Sequence, residues 1–176
     1  MELAEELLAF SRQVLTPTIS GPDQKPHQSL SDQDALSPPL KGAGQAGLRR
    51  AISGCYHAVF HAVVSRIADT LAQPGDIAGK RGTWTDVQPG LQHAQVAQAL
   101  NAAAKDDASV RKLAAGCADL KLARESADYS HDFAPEMLAA LRLIEEAEAL
   151  LQEIHSLSDA SVRLITIRLH FRNRAP

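Results

Sequence analysis

The sequence predicts an all-α protein: an antiparallel bundle of four to six helices interrupted by two long loops. Three observations carry this expectation. Apolar residues recur at the 3.6-residue period of a helix through most of the chain. Aromatic residues make up only 4% of the 176 residues while alanine is abundant, which suits close-packed helices better than a sheet rich in aromatic and β-branched side chains. The one strand-like stretch, "ITIRLHF", has no second strand to pair with. A chain of this length forms one domain with a real core, and its 45% apolar content is ordinary for a globular protein.

Residues 2–14 read as an amphipathic helix with Leu3, Leu7 and Phe10 on one stripe and Leu8 and Val14 nearby. From 16 to 44 the pattern dissolves among five prolines (17, 22, 26, 38 and 39), and a long flexible loop is expected. A long helix follows over 45–71, with Leu48, Ile52, Cys55, Val59, Val63 and Ile67 in a continuous stripe widened by Tyr56, Phe60 and Val64. Breakers over 73–90 mark a second loop, which holds Trp84, the only tryptophan. Helices are expected at 91–104 and 107–126, the second capped by Asp106 or Asp107 and striped by Val110, Leu113, Cys117 and Leu120. Another begins near Pro135, with Glu136 at its positive end, and runs to about His155, placing Met137, Leu141, Ile144, Leu151 and Ile154 inward. The tail, 157–176, fits a helix through Val162, Ile165 and Leu169.

Composition excludes several function classes. A net charge of −3 gives no global basic footprint for duplex DNA. The first ten residues, "MELAEELLAF", carry acids where a signal peptide needs basic residues, and no apolar run approaches a membrane span, so a cytoplasmic protein is expected. Cys55 and Cys117 lie on apolar helical faces and read as buried thiols of a reducing compartment. There is no internal repeat, glycine-rich phosphate loop or nucleophile elbow, and no cofactor is expected.

Three constellations remain. Extending the stripe 110, 113, 117, 120 by one step reaches Arg124, an arginine on the inward face of its helix. A buried guanidinium needs a partner. Asp128 supplies one if the helix continues another turn, which makes Arg124 a structural tie; otherwise the arginine is free to hold an anion in a crevice. His131 follows Arg124 with six residues between them, just before the next helix begins, where unpaired N–H groups attract phosphate. An arginine to stabilise phosphoryl charge and a histidine to move protons would suit metal-independent RNA cleavage. His57 and His61 are one turn apart, but with no third ligand in sequence they read as buried, hydrogen-bonded side chains near Tyr56 rather than a metal site. The tail carries Arg163, Arg168, Arg172 and Arg174 against one acid, Asp159, either as a solvated face or as a phosphate-contact surface.

Two stretches together resemble a known family. "LRRAISGCYHAVFHAVV", residues 48–64, is similar to the "SRAYYAAFHAA" helix of bacterial HEPN domains (higher eukaryotes and prokaryotes nucleotide-binding), and "LKLARESADYS", residues 120–130, resembles their R-x-x-A-D-Y element. The resemblance covers roughly 45–155. It implies a helical bundle that forms a homodimer and, in many members, a metal-independent RNase acting as a toxin of a toxin–antitoxin pair or in phage defence. Carried over, it makes Arg124 the phosphate-binding arginine and His131 the catalytic base or acid, supported by Asp128 and Tyr129, with RNA as substrate and an antitoxin or nucleotidyltransferase as partner. Members with the R-x-x-A-D-Y form often lack the histidine, and they carry the alternative: a non-catalytic helical interaction or regulatory module.

Overall fold

The computed structural model describes residues 2–15, 43–71 and 91–170. They form six helices: α1 (Glu2–Leu15), α2 (Ala43–Leu71), α3 (His93–Ala103), α4 (Ala108–Tyr129), α5 (Met137–Ser156) and α6 (Asp159–His170). No strand occurs among the described residues, and the all-α bundle expected from the sequence is what forms. No described helix is long and apolar enough to cross a membrane.

The centre of the bundle is α2. Its expected stripe of Leu48, Ile52, Cys55, Val59, Val63 and Ile67 is buried throughout, and so are Ala51, Ala58, Ala62, Val64 and Ala68. A helix apolar on so much of its circumference must be enclosed, and α2 packs against α1, α4, α5 and α6. α4 runs antiparallel to it, since Arg49 and Ser53 near the start of α2 meet Ala127 and Asp128 near the end of α4. α5 returns parallel to α2: Gln45 at one end bonds the Pro135 carbonyl, and Arg66 near the other bonds the Leu157 carbonyl and Asp159. α3 lies on α4 and α6, where Arg168 pairs with Asp106 at 2.6 Å. On α1, Leu8 is buried and Arg12 makes a two-pronged bond to Glu148 of α5, at 2.6 and 2.5 Å; the side chains of Leu3, Leu7, Phe10 and Val14 lie outside the described residues.

Helix ends follow local chemistry. Asp107 is the N-cap of α4: its carboxylate accepts from the Ser109 amide at 2.9 Å, and bonding from Ser109 holds its pKa down to about 2. Ser158 takes the amide of Ser161 at the start of α6, so the tail is helical as far as His170. Three expectations need correction. α4 does not stop at 126 but continues to Tyr129, because Arg124 and Asp128 pair across the added turn. Pro135 precedes α5 rather than opening it, and Glu136 is the N-cap. Leu141 is 40% exposed; Ala140, Ala147 and Leu150 form the inward face beside Ile144, Leu151 and Ile154. The 16–42 and 72–90 stretches, with Trp84, lie outside the described residues, as do Arg172 and Arg174.

α4 and α5 approach closely at Gly116. A Cβ there would lie 2.7 and 2.8 Å from the two terminal carbons of Leu150 and 3.2 Å from its Cγ, and Leu150 is itself buried. Alanine gains about 1 kcal/mol of helix propensity over glycine, whereas overpacking a core costs about 1–3 kcal/mol. Gly116→Ala is therefore expected to lower unfolding free energy by about 1 kcal/mol in urea titrations. In a Leu150→Ala background the same change should become stabilising, and a loss of equal size in both backgrounds would show that Leu150 is not the obstacle.

Candidate functional site

In α2, Arg49, Ser53, His57 and His61 recur every four residues and so form one polar row along the helix. Because α4 is antiparallel, its last turn descends beside the start of this row. The final carbonyls of a helix have no partner within it and carry partial negative charge. Arg49 supplies the missing donors: Nε donates to the Ala127 carbonyl at 2.8 Å and Nη2 to the Ser130 carbonyl. The arginine of one sequence motif thus caps the helix that carries the other.

Arg124 sits one turn back from that end. Its Nε lies 2.6 Å from Asp128 Oδ2, with the two side chains retaining 24% and 29% of their accessible surface. The Nε–H bond is not aimed along this contact, so the pair is Coulombic rather than a directed hydrogen bond. Nη2 donates to the Tyr129 hydroxyl at 3.2 Å, and the guanidinium carbon stands 5.2 Å from the centre of the Tyr129 ring. The second neighbour of Asp128 is Ser53, whose hydroxyl donates to Oδ2 at 3.3 Å. Asp128 therefore stands between a cation of its own helix and a hydroxyl of α2.

His131 is in the turn after α4. Its side chain is fully exposed, and its Nδ1 lies 3.3 Å from the equally exposed Asp132 carboxylate. No hydrogen bond or ion pair joins it to Arg124. His131 does border an open groove of about 940 Å³ with Arg49, Arg50, Ser53, His57, His61, Asp128 and Tyr129. The structure thus brings Asp128, Tyr129, His57, His61 and His131 to one groove and ties Arg124 behind it. Arg163 and Arg168 are exposed on α6 and do not line the groove.

Tyr56 faces a different side. Its hydroxyl pairs with His93 Nδ1 at 2.8 Å, not with His57 or His61. Successive helical residues point about 100° apart, so Tyr56 looks toward α3 while His57 looks into the groove. His57 meets the Tyr56 ring edge-on at 5.5 Å, and the His93 ring stacks on Phe60 at 3.8 Å. His57 and His61 are half-buried rather than buried. Sequence reading missed Arg49, Ser53 and His93. The four-residue polar row within an apolar helix was a signal for the first two; nothing local marked His93. Among the described residues no three side chains are grouped to hold a metal ion.

Burial lowers the pKa of His57, His61 and His93 below the ordinary imidazole value. Arg124 and His61 add to the effect at His57, and His57, Arg124 and His61 add to it at His93. Their folded values lie below the unfolded one, so as pH falls the unfolded chain takes up protons first. The stability they contribute is complete above the unfolded value and is lost as pH falls through it toward the folded values. The urea midpoint is expected to fall between about pH 7.5 and about pH 5.5, and a His57→Gln, His93→Gln double variant to flatten that slope. An unchanged slope in the variant would place the titration elsewhere.

Comparison of the chain with family models, with curated proteins and with solved structures finds no match, so a functional reading rests on the residues and their geometry.

Proposed function

We propose that the chain is an HEPN-like helical interaction module that engages its partner through the groove between α2 and the end of α4, and that it does not cut RNA on its own. The observation that carries this reading is the engagement of Arg124. A phosphate-binding arginine must present its guanidinium to the scissile group beside the catalytic histidine. Here Asp128 neutralises it, Tyr129 occupies Nη2, and His131 is turned to solvent. The family likeness is supported by the way the two resembling stretches pack, with Arg49 on the Ala127 carbonyl and Ser53 on Asp128.

The second reading is metal-independent RNA cleavage by a homodimer, in a toxin–antitoxin or defence setting. What favours it is the exposure of Tyr129 and His131 at the rim of a groove that also holds Arg50. A second copy could bring its own groups to that rim. The cytoplasmic placement and an antitoxin or nucleotidyltransferase partner belong to either reading.

A metal-free RNA degradation assay separates the two. With chelator present, wild type, Arg124→Ala and His131→Ala are expected to show the same background cleavage. Wild-type cleavage abolished in both variants would overturn the interaction-module reading. Stability gives an independent readout. Losing one partner of a half-buried pair should cost Arg124→Ala roughly 1–2 kcal/mol, between the values for exposed and fully buried pairs. His131→Ala, at a fully exposed position, should stay within about 0.5 kcal/mol of wild type.

A further inference from the structure

On the face of α2 next to the groove, the helices leave a second and quite different space. A crevice of about 290 Å³ opens between α2, α3 and α4. Val59 and Val63 form one wall and Val96 and Leu100 another. The third wall comes from α4, which sets Ala114, Cys117 and Ala118 opposite them. These small side chains cannot reach across to the valines, and so the crevice stays open. Its lining is mainly apolar, which makes it a poor place for water and a good one for hydrocarbon.

Polar groups line the rest of it. Tyr56 and His93 are hydrogen-bonded to each other at 2.8 Å and uncharged at neutral pH. Asn101, Lys121 and Leu122 complete the lining. Leu122 is 61% exposed, an uncovered apolar side chain at the rim. Lys121 carries the only formal charge among the lining residues at neutral pH. Its neighbour is Glu125, 2.9 Å away on the same helix, and both side chains are 41% exposed. Exposed pairs of this spacing are weak, so an anion arriving from the crevice can compete for the ammonium group. Cys117 does not oppose it, because burial pushes its thiol up to about 12 and keeps it uncharged.

We propose that this crevice binds a small amphiphile with an unbranched apolar chain and one carboxylate. The chain lies between Val59, Val63 and Leu100, and the carboxylate meets Lys121 at the rim. The site is separate from the α2–α4 groove, and its test does not depend on the function proposed for that groove.

The test is calorimetric titration of the full chain with decanoate below its micellar range, and with decylammonium, which has the same chain and the opposite charge. Saturable binding of one decanoate per chain is expected, with decylammonium at least tenfold weaker, the size of effect one charge-assisted contact gives. Ala118→Phe, at an exposed position that can accept a larger side chain, should fill the crevice from its α4 wall and abolish binding. Lys121→Ala should keep the fold, weaken decanoate about tenfold and remove the preference over decylammonium. No saturable binding, equal binding of the two probes, or binding indifferent to Ala118→Phe would each overturn the proposal. A change in Trp84 emission on Ala118→Phe, with no probe added, would mean that the 72–90 stretch of the chain already fills the crevice, and would overturn it as well.

Discussion

Enclosing α2 on nearly every side is the constraint from which the other features follow. A helix with buried Leu48, Ile52, Cys55, Val59, Val63 and Ile67 on one stripe and buried alanines between them cannot face water over any wide arc. Four helices are needed to cover it. Polar side chains can then emerge only where the cover is incomplete, and Arg49, Ser53, His57 and His61 do so in a row beside the end of α4. The groove is in this sense a consequence of core packing. α4 covers α2 along most of its length and ends at Tyr129, leaving the row exposed beside its last turn.

The same ending decides the chemistry of Arg124. With the helix stopped at 126, the arginine would stand at a terminus with no acid one turn on. Carried through to Tyr129, the helix places Asp128 at i+4 and brings its carboxylate to 2.6 Å. Bare terminal carbonyls would have made the extra turn unfavourable, and Arg49 removes that cost by bonding Ala127 and Ser130 from the neighbouring helix. The position of Arg124 therefore depends on a residue 75 places earlier in the chain. This is why its burial could be read from the stripe 110, 113, 117, 120 while its partner stayed open between an acid and a phosphate.

What could be read from the sequence was whatever repeats at a helical period. The stripes of α2 and α4 put their apolar members in the core, Asp107 caps as its type and place suggest, and the tail becomes a helix because no strand was available to pair with it. What could not be read depends on contact between distant elements. Leu141 fits the α5 stripe, yet the small inward residues Ala140 and Ala147 draw the neighbouring helices to a slightly rotated face and leave Leu141 at the edge. The Tyr56–His93 pair links residues 37 apart across a stretch with no periodicity, so no local pattern could have announced it.

Two cavities of opposite character lie side by side on α2, and the step from one to the other is a single residue. Tyr56 and Phe60 turn toward α3 and line the apolar crevice; His57 and His61 turn toward the end of α4 and line the polar groove. Between them stands a wall of rings in edge-on and stacked contact, in which desolvation favours the neutral imidazoles. Neutral, these rings join the apolar lining on one side while leaving Arg49 and Arg50 to set the charge of the other. Protonated, they would carry charge that their packing desolvates, which is the larger cause of their lowered pKa values, and His57 and His93 would also stand against Arg124 and a neighbouring imidazole. The separation of an apolar site from a cationic one thus rests on the uncharged state of three histidines, and it holds best above the ordinary imidazole pKa.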